Sequence, residues 1–440
     1  MKGDFSRVRF GRHDNFNGIL PQQGKVLLDS DGIAQTLIEN DWHQTAARDV
    51  IGPAAGVPAA VPDSFKISAA SLAGGTVTLT VGTGHIWAHG LLVRLDAPTA
   101  TVDRTATWLE PPIVATQGDA STVADGVMDA VFLEVWQHAV NGFEMPDELI
   151  EPALGGPDTA ERLQTAFAFR LARLKAGETC ASVAFDDSGR GRLTASLVDP
   201  IVIMGDCPVE GSGGYSGFEH QLYRVEIANS APGATRFKWS RVNGGLVGRG
   251  AFDSTTQKIT ITANLPAITG ANQPSFYLEI EAWDAALGFS RVIAGAQASL
   301  NGGVLQCSAV PVFGTYPAAG NIFFRLWDGV SPISAYPVSV NPTPLENGIL
   351  LQFDADAPGK YYPGDYWMFP VRAQGIANPQ PLINARPPQG IVYHRVPLAE
   401  ITWTGASSGS FTASTIEDCR TIVPPLSRLK GCCKRWRASH

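Results

Sequence analysis

The sequence predicts a mainly β protein: several antiparallel sandwich-like or barrel-like domains that follow an N-terminal arm and one helix. Three observations predict it. Many short stretches alternate apolar and polar side chains with period two, the pattern of a strand with one buried face. Glycine and proline, 46 and 31 of 440 residues, punctuate these stretches at short and fairly regular intervals. Only one segment carries helical spacing. Strands separated by turns in this way indicate antiparallel sheets rather than βαβ units.

The elements follow in chain order. Residues 1–24 form a polar, glycine-punctuated arm that ends in ILPQQGKVLLD. DGIAQTLIENDWHQTAARDVIG then places Ile33, Leu37, Asn40 with Asp41, and Ala47 at helical spacing. Asp29, Ser30 or Asp31 can cap its start, and Gly52-Pro53 ends it. From Pro53 the texture turns to β. TVTLTVGTGHIWAHGLLVRL alternates Val77, Leu79 and Val81 with threonines, breaks at Gly82 and Gly84, and resumes. VMDAVFLEVWQHAV and TAFAFRLARL are the next strands. HQLYRVEIA, TRFKWSRV, KITITANL, SFYLEIEAW, GNIFFRLWDG, GILLQFDA and DYWMFPVRA complete the series. Breaks at DCPVEGSGGYSG and SLNGGVL divide the chain into an arm and docking helix (1–52), three β domains (53–205, 206–300 and 301–426) and a short basic tail (427–440).

Composition narrows the function classes. Apolar residues make up 44% and charged residues only 17%, against about 25% in an average soluble protein. So few charges on so long a chain imply surface hidden in an assembly. A net charge of −8 excludes a broad nucleic-acid-binding face, since nothing would neutralise the phosphates. MKGDFSRVRFGRHD has no apolar core, so no secretory signal peptide is expected. No apolar run approaches the about 18 residues of a transmembrane helix. The six cysteines lack CxxC spacing and read as reduced thiols of a cytoplasmic protein, one that could be released inside a particle on lysis.

No stretch carries a coherent catalytic set. His85 and His89 in GHIWAHG would share a metal on a helix, but in a strand they stand about 13 Å apart, at ~3.3 Å per residue. GSGGYSG lacks the GK[ST] ending of a phosphate loop, and Phe218 stands where GxSxG needs its last glycine. EPALGGPDTAER packs Gly155-Gly156-Pro157 into a sharp turn. There Asp158 suits an N-cap, and Glu161 completes a capping box for one or two helical turns before the next strand. A hydrolase would need two carboxylates facing one cleft, and Glu134 and Asp158 would be the first to test. Trp136, Trp239, Trp327 and Trp367 could stack on sugars, but they lie inside alternating strands and read as core. Cys432-Cys433 beside Lys430, Lys434, Arg435 and Arg437 has the composition of an acylated basic anchor, although the cationic count is small. No cofactor and no metal is expected.

Several phrases occur in order: MKGDFSR, LPQQGKVLLDSD, ARDVIGP, EPALGGPDTAER, LYRVEI, FKWSRVNG, RLWDG, GDYWMFPVR, PLAEI and DCR. Together they resemble an uncharacterised bacterial family encoded among genes for phage-tail-like particles and extracellular contractile injection systems. The resemblance spans about residues 1–426. One departure stands out: LDSDGIAQ replaces a pattern like LDADWNEQ, with Gly32 and Ile33 where the family has tryptophan and asparagine. The resemblance implies a non-enzymatic structural part, a baseplate-peripheral, fibre-like or adaptor protein that contacts other tail or baseplate subunits. It also implies a homo-oligomer, with a trimer expected of fibre-type parts. Phe5, Phe10, Leu20, Val26, Leu37 and Trp42 of the arm and helix are the expected docking residues. A cell-surface glycan-binding module of such a particle is the alternative, and a cell-wall hydrolase a further one.

Overall fold

The computed structural model describes residues 2–3, 5, 11, 14–109, 113–114, 119–120, 122–151, 153, 159–186, 190–199, 202–203, 209–210, 213–229, 233–284, 287–373, 378–406 and 409–425. It is a mainly β protein with several antiparallel sheets and one long N-terminal helix. Every strand named above forms. Their pairing, however, follows a nested path rather than consecutive blocks.

The outermost unit is a closed seven-stranded barrel ordered Ile67–Ala73, Ser410–Asp418, His394–Ala406, Met128–Val140, Arg162–Arg173, Thr101–Trp108 and Thr76–Gly82. Its first and last strands in the sequence pair directly, Ser71 opposite Thr412. Thr101–Trp108 runs parallel to Arg162–Arg173, and the other pairings are antiparallel. A four-stranded sheet of Thr421–Val423, Ala55–Pro58, Gly84–Ala88 and Leu91–Leu95 shares the barrel's core. Val77, Leu79, Val81, Leu133, Val135, Leu171 and Ile401 fill that core. Each such side chain contributes ~1.5–3 kcal/mol relative to exposure.

Within the loop that the barrel leaves open lie two four-stranded sheets with one common core. The first is Gly329–Pro332, Arg236–Ser240, Gln221–Asn229 and Tyr366–Val371; the second is Thr343–Glu346, Ile349–Phe353, Leu193–Leu197 and Ile383–Arg386. Inside that sandwich, in turn, residues 246–327 form a further sheet. Pairing of Ser275–Asp284 with Phe289–Asn301 closes the sheet into a ring, with Phe313–Gly314 added outside it on Phe289–Asn301. The expected break at 300 therefore falls inside a strand.

The helix spans Asp29–Ile51. Leu28 is its N-cap, and the Leu28 N–H donates to Asp31 Oδ2 at 3.0 Å, so Asp31 acts from the first turn. Gly52, at φ 108°, ends it as expected. The buried stripe is Ser30, Ala34, Ile38 and Gln44, one residue later than the Ile33/Leu37 stripe expected from spacing. The small residues at 30 and 34 let the helix approach closely, and Leu37 is left half-buried. The helix rests on the two-residue turn His89-Gly90, where both φ are positive (50° and 84°). A Cβ at Gly90 would collide with the Gln44 carbonyl oxygen, so only glycine serves there.

Between the sandwich and the inner ring sits a buried charge network. Lys238 Nζ donates to Glu279 Oε1 and Oε2 at 2.6 and 2.7 Å and lies 3.1 Å from Glu226 Oε1. Arg224 Nε donates to Glu226 Oε2 at 2.6 Å, and Trp327 Nε1 to Glu279 Oε2 at 2.8 Å. Nearby, Arg325 pairs with Glu281 (3.4 Å) and reaches Glu144 (3.7 Å), and Lys2 approaches Glu281 to 3.8 Å. Burial raises the Glu226 carboxyl, but the Lys238 and Arg224 charges outweigh it and hold the group well below the usual carboxylate range. The Lys2 end of the arm is thus tied into the body: the Gly3 N–H donates to the Asn243 carbonyl at 2.7 Å.

Candidate functional site

Two features stand out: the outer surface of the arm and helix, and a cleft between the barrel and the sandwich. Of the six expected docking residues, Leu20 (90% exposed), Val26 (84%) and Trp42 (66%) face outwards. Phe16, Leu27, Leu28 and Val50 are further exposed apolar residues of the arm and helix. Leu37 and Phe5 are half-buried, and Phe10 lies outside the described residues. Residues 15–28 run without helix or strand, and the Ile19 N–H donates to Gln35 Oε1 at 2.8 Å, which tethers the arm along the helix. Phe16, Ile38, Trp42 and His43 line a hollow of about 440 Å³ between the two. A second hollow, of about 350 Å³, lies at the far end of the helix among Val50, Ile51, Pro58, Trp87 and Val423.

The cleft is built on the outer face of the barrel. Inward positions of Met128–Val140 hold Val131, Leu133 and Val135, so Glu134 projects the other way. Cross-strand register sets Arg395 opposite Glu134 and Arg170 opposite Thr107. Arg170 Nε donates to Glu134 Oε1 at 2.8 Å and Arg395 Nε to Glu134 Oε2 at 2.7 Å, so each carboxylate oxygen accepts from a guanidinium. Arg170 Nη1 also donates to Thr107 Oγ1. The Arg395 guanidinium lies over the rings of Phe185 and Tyr393, at 5.1 and 5.6 Å. From the sandwich side comes the turn Tyr362-Pro363-Gly364-Asp365, with Gly364 at φ 89°. Its Asp365 accepts from Arg190 Nη1 at 2.8 Å. Burial, with the Glu134 charge beside it, pushes the Tyr393 hydroxyl far above its ordinary range, so it stays protonated.

A family profile matches residues 1–186; its description is a family of unknown function (DUF6519). No curated protein matches the chain. No solved structure matches it either. The matched segment carries the arm, the helix, Glu134 and Arg170, while Arg190, Asp365 and Arg395 lie beyond it.

The remaining candidates resolve as follows. Glu134 is clasped by two arginines, and Asp158, its suggested catalytic companion, lies outside the described residues. Trp136, Trp327 and Trp367 are buried, and Trp239 packs against the sandwich core, so none offers a sugar platform. The helical turns expected before TAFAFRLARL do not form at residues 159–161, and the strand starts at Arg162. Glu161 instead sets its carboxylate against Gly3, where a Cβ would collide with it. His89 stacks on His394 with ring centroids 4.4 Å apart, away from any shared site with His85. Cys207, Cys432, Cys433 and the basic tail lie outside the described residues. Among the described residues, no helix is long and apolar enough to cross a membrane.

The cysteine reading needs a correction. Cys180 and Cys419 form a disulfide across 239 residues, and Cys307 is a buried free thiol. The Cys180 N–H donates to Glu400 Oε1 at 2.6 Å, which seats the bridge against the barrel. Spacing in the sequence gives no sign of this pair because it joins two distant ends of the nested chain. Reduction, or Cys180→Ser, is expected to lower the unfolding free energy by ~2–4 kcal/mol. A melting temperature identical with and without dithiothreitol would show that the bridge contributes nothing.

Proposed function

We propose that this chain is a non-enzymatic structural component of a phage-tail-like contractile particle, attached through its arm and helix to a neighbouring tail or baseplate subunit. One observation carries the reading: a set of exposed apolar side chains on the arm and helix, Phe16, Leu20, Val26, Leu27, Trp42 and Val50, on a chain with only 17% charged residues. Exposed apolar patches of this kind mark interaction sites. The ordered phrases shared with the particle-associated family support the same reading. Self-association of the β units, as a trimer, suits the low surface charge. Assembly in the cytoplasm followed by release reconciles the resemblance with the disulfide, which would close once the particle leaves the reducing interior.

Deleting the whole arm would be a poor test, since Lys2 and Gly3 are anchored in the body. Leu20→Asp with Val26→Asp and Trp42→Asp touches only exposed positions. Co-expressed with the neighbouring particle genes, the triple variant is expected to melt like the parent yet to be absent from particles purified by sedimentation. Incorporation at the parent level would overturn the assignment of this surface.

A further inference from the structure

We propose that Cys180, Cys419 and Glu400 form a Zn²⁺ site, with two thiolate ligands and one carboxylate, once the bridge between the two cysteines is reduced. The proposal goes beyond the docking role and uses none of its residues.

The two sulfurs and a Glu400 carboxylate oxygen lie within 4.8 Å of one another. Around a tetrahedral zinc ion with bonds of about 2.0–2.3 Å, ligand atoms stand roughly 3.5–3.8 Å apart. Reduction frees the sulfurs to part to that distance, and Glu400 Oε1 already stands 3.9 Å from Cys419 Sγ. The same Oε1 accepts the Cys180 N–H at 2.6 Å, and such a bond orients a carboxylate as outer-shell donors orient metal ligands. Soft thiolates select zinc over magnesium and calcium, which take oxygen ligands. Three protein ligands leave the fourth position to water.

Charge points to a cation at the same place. Six other buried carboxylates, Asp129, Glu134, Glu226, Glu279, Glu281 and Asp365, each face an arginine or a lysine. Glu400 is only 8% exposed and has no ion pair among the described residues. Directly opposite it on the neighbouring strand stands Glu417, a second carboxylate without an ion pair among those residues. Arg420, close by in the chain, is turned to Asp418 at 2.7 Å. Like charges facing one another across strands weaken a sheet, and a buried charge without a counter-charge is costly. A divalent ion held by Glu400 supplies the missing charge.

The ligands come from distant parts of the chain. Cys180 follows the barrel strand Arg162–Arg173, Glu400 lies on His394–Ala406, and Cys419 follows Ser410–Asp418. The two sulfurs, 239 residues apart in sequence, thus join the ends of the nested path in either form, through a covalent bond or through an ion. A phosphine reductant gives the bridge two electrons and takes the oxygen of a water molecule, whose two protons complete the two thiols. Each thiol then releases its proton to solvent as its sulfur binds the ion.

The test uses the full chain with Cys432→Ser and Cys433→Ser, which removes the adjacent thiols of the tail. Metal-free protein, with the bridge intact or reduced by a phosphine, is titrated with Zn²⁺ against a chelating dye and with Co²⁺ as a spectroscopic probe. The reduced chain is expected to bind one Zn²⁺, at least a hundredfold more tightly than the bridged chain, and excess Mg²⁺ should not compete. Co²⁺ should give a thiolate-to-metal charge-transfer band in the reduced chain alone. Zn²⁺ should raise the melting temperature of the reduced chain and leave that of the bridged chain unchanged. Glu400→Gln keeps the side-chain length and should weaken zinc about tenfold or more, and Cys180→Ser should abolish the band. If either variant does not fold, the reduced and bridged parent chains still decide. No zinc uptake by the reduced chain, equal uptake by the bridged chain, or full affinity in Glu400→Gln would each overturn the proposal.

Discussion

Lys238→Met is expected to lower the unfolding free energy by about 3–5 kcal/mol, a large share of the ~5–15 kcal/mol typical of a folded protein. The ammonium group bridges Glu226 and Glu279 in a setting from which water is excluded; Lys238 itself is 3% exposed. Methionine of similar length fills the space but strands Glu279, whose other partner is the Trp327 N–H. Loss of the Lys238 cation also moves the Glu226 carboxyl upwards from its lowered position. The pH dependence separates this from a packing defect. In the parent, Glu226 is held below its unfolded value, so its contribution is present above about pH 4–5 and is lost as the pH falls further. In the variant Glu226 keeps only the Arg224 guanidinium as a direct partner, so less of this contribution is there to be lost on acidification. The stability gap between parent and variant should therefore narrow from pH 7 to pH 4. A gap independent of pH in urea denaturation series would assign the loss to packing alone. Glu144, raised mainly by burial, is common to both proteins and drops out of the difference.

Asp129→Ala should cost a similar ~3–5 kcal/mol. Asp129 has no solvent exposure and gathers three donors: Arg173 Nε at 2.7 Å, Trp403 Nε1 at 2.8 Å and Trp108 Nε1 at 3.2 Å. Arg173 is equally trapped, 6% exposed, with Nη2 donating to the Ala120 carbonyl. Alanine leaves that guanidinium charged and buried, along with two indole N–H groups. Adding Arg173→Met removes the stranded charge and is expected to recover a substantial part of the loss. A double variant no more stable than Asp129→Ala would mean that the indole hydrogen bonds, rather than the ion pair, carry the effect. Chemical denaturation of the three variants against the parent measures both quantities.

These residues mark where sequence reading ends. The period-two pattern placed every named strand, because one buried face per strand is enough to make it visible. It also assigned the other face to solvent. In RFKWS, Lys238 alternates with Phe237 and Trp239, and in YLEIEAW, Glu279 and Glu281 alternate with Leu278 and Ile280. Packed against one another, the sandwich and the ring bury those polar faces as well, and no pattern within either strand records the partner. The same holds for Glu134 and Arg170, whose outward face is covered by chain from beyond residue 184. The cleft was illegible for this reason: Arg395 is set against Glu134 by register between strands more than 200 residues apart. The helix was visible and its buried stripe was not, since serine, alanine and glutamine can face a core as readily as leucine when the approach is close. The exposed apolar residues of the arm could be listed from sequence, but their exposure depends on the body beneath them.

The nested chain path has a consequence for how the protein is made. The barrel opens with Ile67–Ala73 and is closed by Ser410–Asp418, so almost the whole chain must leave the ribosome before its last ladder can zip. The inner ring needs nothing outside residues 246–327 for its own strands and is available to form first. Completion therefore proceeds from the inside outwards, and the early barrel strands wait with unpaired edges during synthesis. The strands that most need protection in a growing chain are thus those that emerge earliest.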